Sequence, residues 1–178
     1  MKKIFFCLIG LASSFGLHAQ KFSSEISAVS FFSHASIEDI AAKTAKATSI
    51  FNTATNEIVF VIPIKEFEFE KALMKQHFNE KYMETEKFPK STFQGKLIGY
   101  QQSGSGEQEA HAVGKLTIHG VTKEVDLVGT VQNVDGKIVM KSKFMIKLED
   151  YKIKIPTLLW KNIAEKVEVK IEFTYKPL

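Results

Sequence analysis

Between Gly114 and Val131 the chain alternates apolar and polar residues on both sides of one break. Leu116 and Ile118 alternate with Thr117 and His119; beyond Gly120, Val121 and Thr122, the residues Val125, Leu127 and Val131 alternate with Glu124, Asp126 and Thr130. A period of two puts one set of side chains on a buried face and the other on a wetter one, and a glycine between the runs lets the backbone reverse. The pattern predicts two strands joined by a tight turn. It carries no obvious catalytic group, so the hairpin reads as wall.

The same device recurs along the chain. A first strand is predicted over Phe22–Phe32, then a short helix opening at Ser36 with Ile37, Ile40 and Ala41 at helical spacing, then strand character from Thr44 to Phe51. Ile58-Val59-Phe60-Val61-Ile62 is apolar on both faces and ends at Pro63, which predicts a strand whose outer face lies beneath a helix or partner. From Phe67 to about Tyr82, Phe69, Leu73, Met74, His77, Phe78 and Tyr82 recur every three or four residues, the signature of an amphipathic helix. Ser91–Tyr100 and Ala110–His119 read as strands around a solvated tip, and Asp135-Gly136 marks the next hairpin turn. Ile138, Met140, Phe144, Ile146 and Leu148 share one parity, with Ser142 interrupting them. Tyr151, Ile153 and Ile155 form a second short alternation, Thr157–Ala164 one or two helical turns, and Val167, Val169, Ile171, Phe173 and Tyr175 a last strand.

About eight strands with hairpin-length connections and two short helical insertions define an all-β domain. Eight antiparallel strands can close into a barrel wide enough for core side chains or one elongated small molecule. A two-sheet sandwich is the alternative arrangement.

The N-terminus sets the compartment. Lys2 and Lys3 precede an apolar run from Ile4 to Leu11, and small residues lead to Ala19. That is the pattern of a secretory signal peptide over residues 1–19, too short to span a bilayer, with the barrel domain over 20–178. Cleavage after Ala19 would remove Cys7, the single cysteine, so stability must come from a core and not from disulfides. Cys7 also comes too early to be a lipid-anchored cysteine at the cleavage site, and a periplasmic or secreted location is expected without stable membrane insertion. The chain carries 24 basic and 20 acidic residues; without Lys2 and Lys3 the balance is 22 against 20. So small an excess, spread along strands, points to a solvated outer face and away from nucleic acid.

Candidate chemistry is sparse. His111 and His119 share strand parity, but eight positions separate them by about 26 Å, too far to bind one ion. His119 is expected to hydrogen-bond in its turn. Ser105 lies between glycines in a polar tip and not on a strand-to-helix elbow. Glu80, Glu84 and Glu86 alternate with Lys81 and Lys87 as a solvated face, with nothing apolar around them to raise a pKa. No cofactor and no enzymatic activity are expected.

The surplus is apolar: twelve phenylalanines lie beyond residue 19. A tunnel lined by Phe60, Ile62, Phe93, Leu97, Leu116, Ile118, Leu127, Phe144, Ile146, Val169, Ile171 and Phe173 would bind a ligand by burying apolar surface, at about 25 cal/mol per Å2. The competing reading makes these residues an ordinary core. The chain would then be a ligand-free structural or interaction protein, with Phe67, Phe69 and Met74 offered to a partner.

Two segments resemble a known family. Lys87-Phe88-Pro89-Lys90-Ser91-Thr92-Phe93, followed by Gly114-Lys115-Leu116-Thr117-Ile118-His119-Gly120-Val121-Thr122-Lys123, is similar to the paired signature of YceI-like, polyisoprenoid-binding proteins. The resemblance implies a lipocalin-like antiparallel barrel of eight strands, with a tunnel that in some members holds a long isoprenoid chain. It also implies an exported protein able to pair into homodimers, whose partner is a long-chain apolar small molecule, isoprenoid or lipid. The signature residues are turn and packing positions. Where the family has an Arg-Asp pair near the helix, this chain has His77-Phe78-Asn79-Glu80, a different rim for a head group.

Overall fold

The computed structural model describes residues 21–34, 39–154 and 165–178. Ten strands are present among them: β1 (Lys21–Ser33), β2 (Ile40–Thr44), β3 (Thr48–Asn52), β4 (Glu57–Pro63), β5 (Glu68–Phe69), β6 (Lys90–Ile98), β7 (Glu107–Ile118), β8 (Val121–Val134), β9 (Lys137–Lys147) and β10 (Lys166–Pro177). Eight of them form a closed antiparallel barrel in the order β1-β3-β4-β6-β7-β8-β9-β10, and β10 returns to β1 from Phe22↔Pro177 to Phe32↔Glu168. Closure leaves these eight strands without a free sheet edge where they pair. Of the remaining two, β2 attaches to the C-terminal half of β1 and β5 pairs with the outer side of β2.

The two hairpin turns form where glycine permits them. His119 and Gly120 both have positive φ, 49° and 73°, as do Asp135 and Gly136, at 49° and 76°. Two consecutive residues of this hand suit the twist of the strands they join. At Gly95 and Gly114, which face each other across β6 and β7, an added Cβ would stand 2.3 Å from the carbonyl oxygens of Val113 and Gln94 respectively. The backbones approach there more closely than any side chain allows.

Between the strands the expected helices change form. Ile40 and Ala41 belong to β2, because Ser33↔Ile40 through Val29↔Thr44 pair as a ladder that outweighs their helical spacing; the expected cap at Ser36 lies outside the described residues. The amphipathic segment begins later than its apolar spacing suggests. Phe69 is in β5, α1 covers only Ala72–His77, and a wider π-type turn continues through Phe78–Tyr82. Leu73 is exposed on α1, while Phe69, Phe78 and Tyr82 pack on the core. No described helix covers the outer face of β4, where Val59 lies exposed beside Ile50. Tyr151 and Ile153 are buried as expected, but a 3-10 turn at Leu148–Tyr151 replaces the strand. Ile155 and Thr157–Ala164, like the signal segment 1–19, lie outside the described residues.

One half of the barrel is filled. Phe51, Ile58, Phe173 and Tyr175 are among its most completely buried side chains, and Phe60 sits 4.9 Å from Phe173 and 5.9 Å from Phe93, ring centre to ring centre. Tyr175 donates to Ser49 Oγ at 2.7 Å, since Ser49 spends its own proton on Val59 O at 2.8 Å. The other half widens. Pairing between β8 and β9 runs only from Gly129↔Ser142 to Val134↔Lys137, so the first part of β8 and the last part of β9 diverge.

Candidate functional site: an apolar cavity under an aromatic rim

Above the filled half lies a cavity of about 140 Å3. Of the twelve residues expected to line a tunnel, seven border it: Ile62, Leu116, Ile118, Phe144, Ile146, Val169 and Ile171. Phe60, Phe93, Leu97 and Phe173 are buried in the core cluster instead, and do not border it. Leu127 is half-buried on β8 and touches neither. Alternation sorts residues by face and leaves their height along the barrel axis open, which is why one parity contains both floor and wall.

The rest of the lining comes from segments whose periodicity is less clean. Val29 and Phe31 enter from β1, Ile64 and Phe67 from the 3-10 turn after Pro63 and the residue that ends it, Phe78 and Met83 from the π-type turn and the residue that follows it, Leu148 and Ile153 from the region after β9, and Val167 from β10. Ser91, at the start of β6, also borders the space. Phe78 and Met83 were visible as apolar positions of the amphipathic segment. Ser91 stood in the strand-entry signature at inward parity with Phe93, a turn and packing segment that did not single it out as lining.

Phe31, Phe67 and Phe78 border the cavity and, with Phe69 packed against Phe31 and Phe78, form an aromatic rim. Phe31 lies 5.3 Å from Phe67, 5.9 Å from Phe69 and 5.4 Å from Phe78, the last pair stacked at 19°, and Phe69 and Phe78 are 4.9 Å apart. Tilted and offset contacts of this kind add attraction beyond area burial.

A polar tie secures the other side. His119 Nδ1 lies 3.2 Å from the carbonyl oxygen of Tyr151 and Nε2 lies 3.2 Å from Glu84 Oε2, with Phe88 edge-on at 4.5 Å. The histidine therefore bonds outward, joining the β7–β8 turn to two segments flanking the cavity. Glu84 also accepts from Lys87 Nζ at 2.6 Å, and Lys123 pairs with Asp150 at 2.8 Å. The hydrogen bond from Lys87, assisted by its charge and by His119, holds the Glu84 carboxyl below its ordinary range.

The remaining candidate groups are held in ordinary polar contacts. His111 pairs with Asp126 across the outer face at 2.8 Å, Glu80 accepts from Gln76, and Glu86 accepts from Lys65 at 2.7 Å. Among the described residues no cluster of three or more His, Cys, Asp or Glu side chains could hold a metal ion. No described helix is long and apolar enough to cross a membrane.

A closed antiparallel barrel of eight strands around an apolar cavity defines the class. The YceI-like domain matches residues 20–175, and the chain belongs to that family. Its fold is similar to a polyisoprenoid-binding domain from Saccharophagus degradans implicated in plant cell wall breakdown, with TM-score 0.77 and 19% identity over 88% of this chain and 98% of that one. It is also similar to BcnA from Burkholderia cenocepacia, with TM-score 0.70 and 18% identity over 83% and 95% of the two chains. The YCEI protein of Campylobacter jejuni aligns with TM-score 0.61 and 20% identity over 79% and 86%. No curated protein matches the sequence.

Proposed function

We propose that the protein is an exported, non-enzymatic carrier that holds an isoprenoid- or lipid-like chain in its barrel. The observation that carries this reading is the cavity itself: space walled, Ser91 apart, by apolar described side chains between a packed floor and a rim of aromatic rings. The name of the Saccharophagus degradans domain supports the ligand class. Size decides how binding works. A cavity near 150 Å3 accommodates benzene, whereas ligand pockets run to about 300–1,000 Å3. At about 140 Å3 the cavity takes the end of a chain, and Phe31, Phe67, Phe69 and Phe78 move apart to admit the remainder.

Export rests on the basic-apolar-small pattern of residues 1–19, and the family match beginning at residue 20 supports it. Pairing into a homodimer belongs to the same reading, supported by Ile50 and Val59 lying exposed side by side; sedimentation of the mature protein checks it.

Organic extraction of the purified protein followed by mass spectrometry is expected to recover a stoichiometric apolar molecule. Leu116→Trp, which places an indole in the cavity, is expected to abolish its recovery with little loss of stability, because the ring enters existing space. A filled core would instead be overpacked and lose about 1–3 kcal/mol. Stability loss without any lipid in the parent protein would favour the ligand-free structural reading, for which the packed floor around Phe173 speaks.

A further inference from the structure

We propose that Ser91 is the polar anchor of the cavity, selecting apolar chains whose inner end carries an uncharged oxygen, a hydroxyl or carbonyl. This rests on the carrier reading and narrows its ligand.

Ser91 is 5% exposed and borders the cavity from the start of β6, opposite Ile62 on β4. The other described lining side chains are hydrocarbon or thioether. Among the described residues, none pairs with its hydroxyl. Other buried hydroxyls are engaged: Ser49 bonds Val59 O and Tyr175 OH, and Thr44 Oγ1 accepts from Lys46 N at 3.1 Å. Ser27 has no described partner either, but it stands opposite Phe173 and does not border the cavity. Among the described residues the fully buried side-chain polar atom without a partner is Asn79 Oδ1, so the Ser91 oxygen is open to the cavity it borders, and a ligand oxygen placed there gains a hydrogen bond that the apolar walls cannot offer.

Position and surroundings fix what the partner is. Ser91 is two residues before Phe93, so it sits about 6.6 Å above the floor along the strand, and the group it meets is near the buried end of the ligand. Among the described residues no cation borders the cavity, so a phosphate or carboxylate placed there would lose its hydration without compensation from them. No described histidine or carboxylate borders it either, so none of the described residues there activates Ser91 as a nucleophile. The hydroxyl can donate to a carbonyl or alcohol oxygen, or accept from an alcohol. It therefore discriminates between molecules of one shape and different terminal chemistry, where hydrocarbon walls cannot.

Calorimetric titration of the full mature chain with farnesol and with the hydrocarbon farnesene tests this. The parent protein is expected to prefer the alcohol by about threefold to tenfold, the worth of one hydrogen bond. Ser91→Ala is expected to erase the preference while leaving farnesene affinity unchanged, and Ser91→Thr, which keeps the hydroxyl, to retain it. Equal affinity of the parent for both probes, or a preference that survives in Ser91→Ala, overturns the anchor and leaves the carrier standing. Failure of both probes to bind the parent removes the carrier reading, and the anchor with it.

Discussion

Phe144 and Phe173 occupy the same parity on neighbouring strands, yet removing them should have opposite consequences. Phe173 is fully buried and touches Phe60 and Tyr175 on either side, whereas Phe144 is half-buried and borders empty space. Truncating a packed ring leaves a hole that the surrounding side chains close only in part. Phe173→Ala is therefore expected to cost about 3–5 kcal/mol in denaturant unfolding. Phe144→Ala should cost clearly less and enlarge the cavity, raising its capacity for chain-like ligands in the same titration. Tyr175 belongs with the floor: burial pushes its phenol well above the ordinary range, with the Ser49 contact opposing the shift. It is expected to stay un-ionised in an alkaline absorbance titration until the protein unfolds.

At the level of elements, the legible strands were those whose alternation is long and uninterrupted, such as β7, β8 and β10. Their side chains face one way in a sheet and carry that fact in the sequence. What stayed hidden depends on a partner distant in the chain. Ile40 and Ala41 have helical spacing and become strand because β1 offers them a ladder, and Leu148–Tyr151 leaves the β9 parity to turn beneath His119. The site was legible as a set of inward faces and not as a space, since floor and wall differ only in height. His119 shows how elements cooperate at the open half, because both ring nitrogens reach acceptors on other segments. A neutral imidazole has one N–H and satisfies only one of them, whereas the protonated ring donates to both. His119→Leu is expected to raise amide exchange across residues 83–88 and 148–153 while β10 keeps its protection.

For the whole molecule, charge is arranged as exposed pairs around an apolar interior. Glu25 accepts from Lys137, Glu84 from Lys87, Glu86 from Lys65, Asp150 from Lys123 and Glu168 from Lys143, and in each the lysine's hydrogen bond is the main reason the carboxyl titrates below its usual range. Apart from Glu84 and Lys87, three residues apart, these pairs bridge segments distant in sequence: Glu25 and Lys137 join β1 to β9, and Glu168 and Lys143 join β10 to β9. A carboxyl whose folded-state value is depressed contributes stability that is fully present above its unfolded value. That contribution disappears as pH falls through the folded one. The relevant unfolded values are 4.5 for the glutamates and 3.8 for Asp150. The melting temperature is therefore expected to hold steady from neutrality down to about pH 5 as far as these carboxylates control it, then to decline progressively below. Added salt should flatten that decline, because exposed pairs are screened within about 10 Å at 0.1 M. The floor makes the complementary demand: its rings and the Tyr175–Ser49 bond carry no titrating charge in this range, so the Phe173→Ala penalty should be the same at pH 4 and pH 7. A penalty that grew on acidification would mean that the core and the outer ion pairs do not act independently.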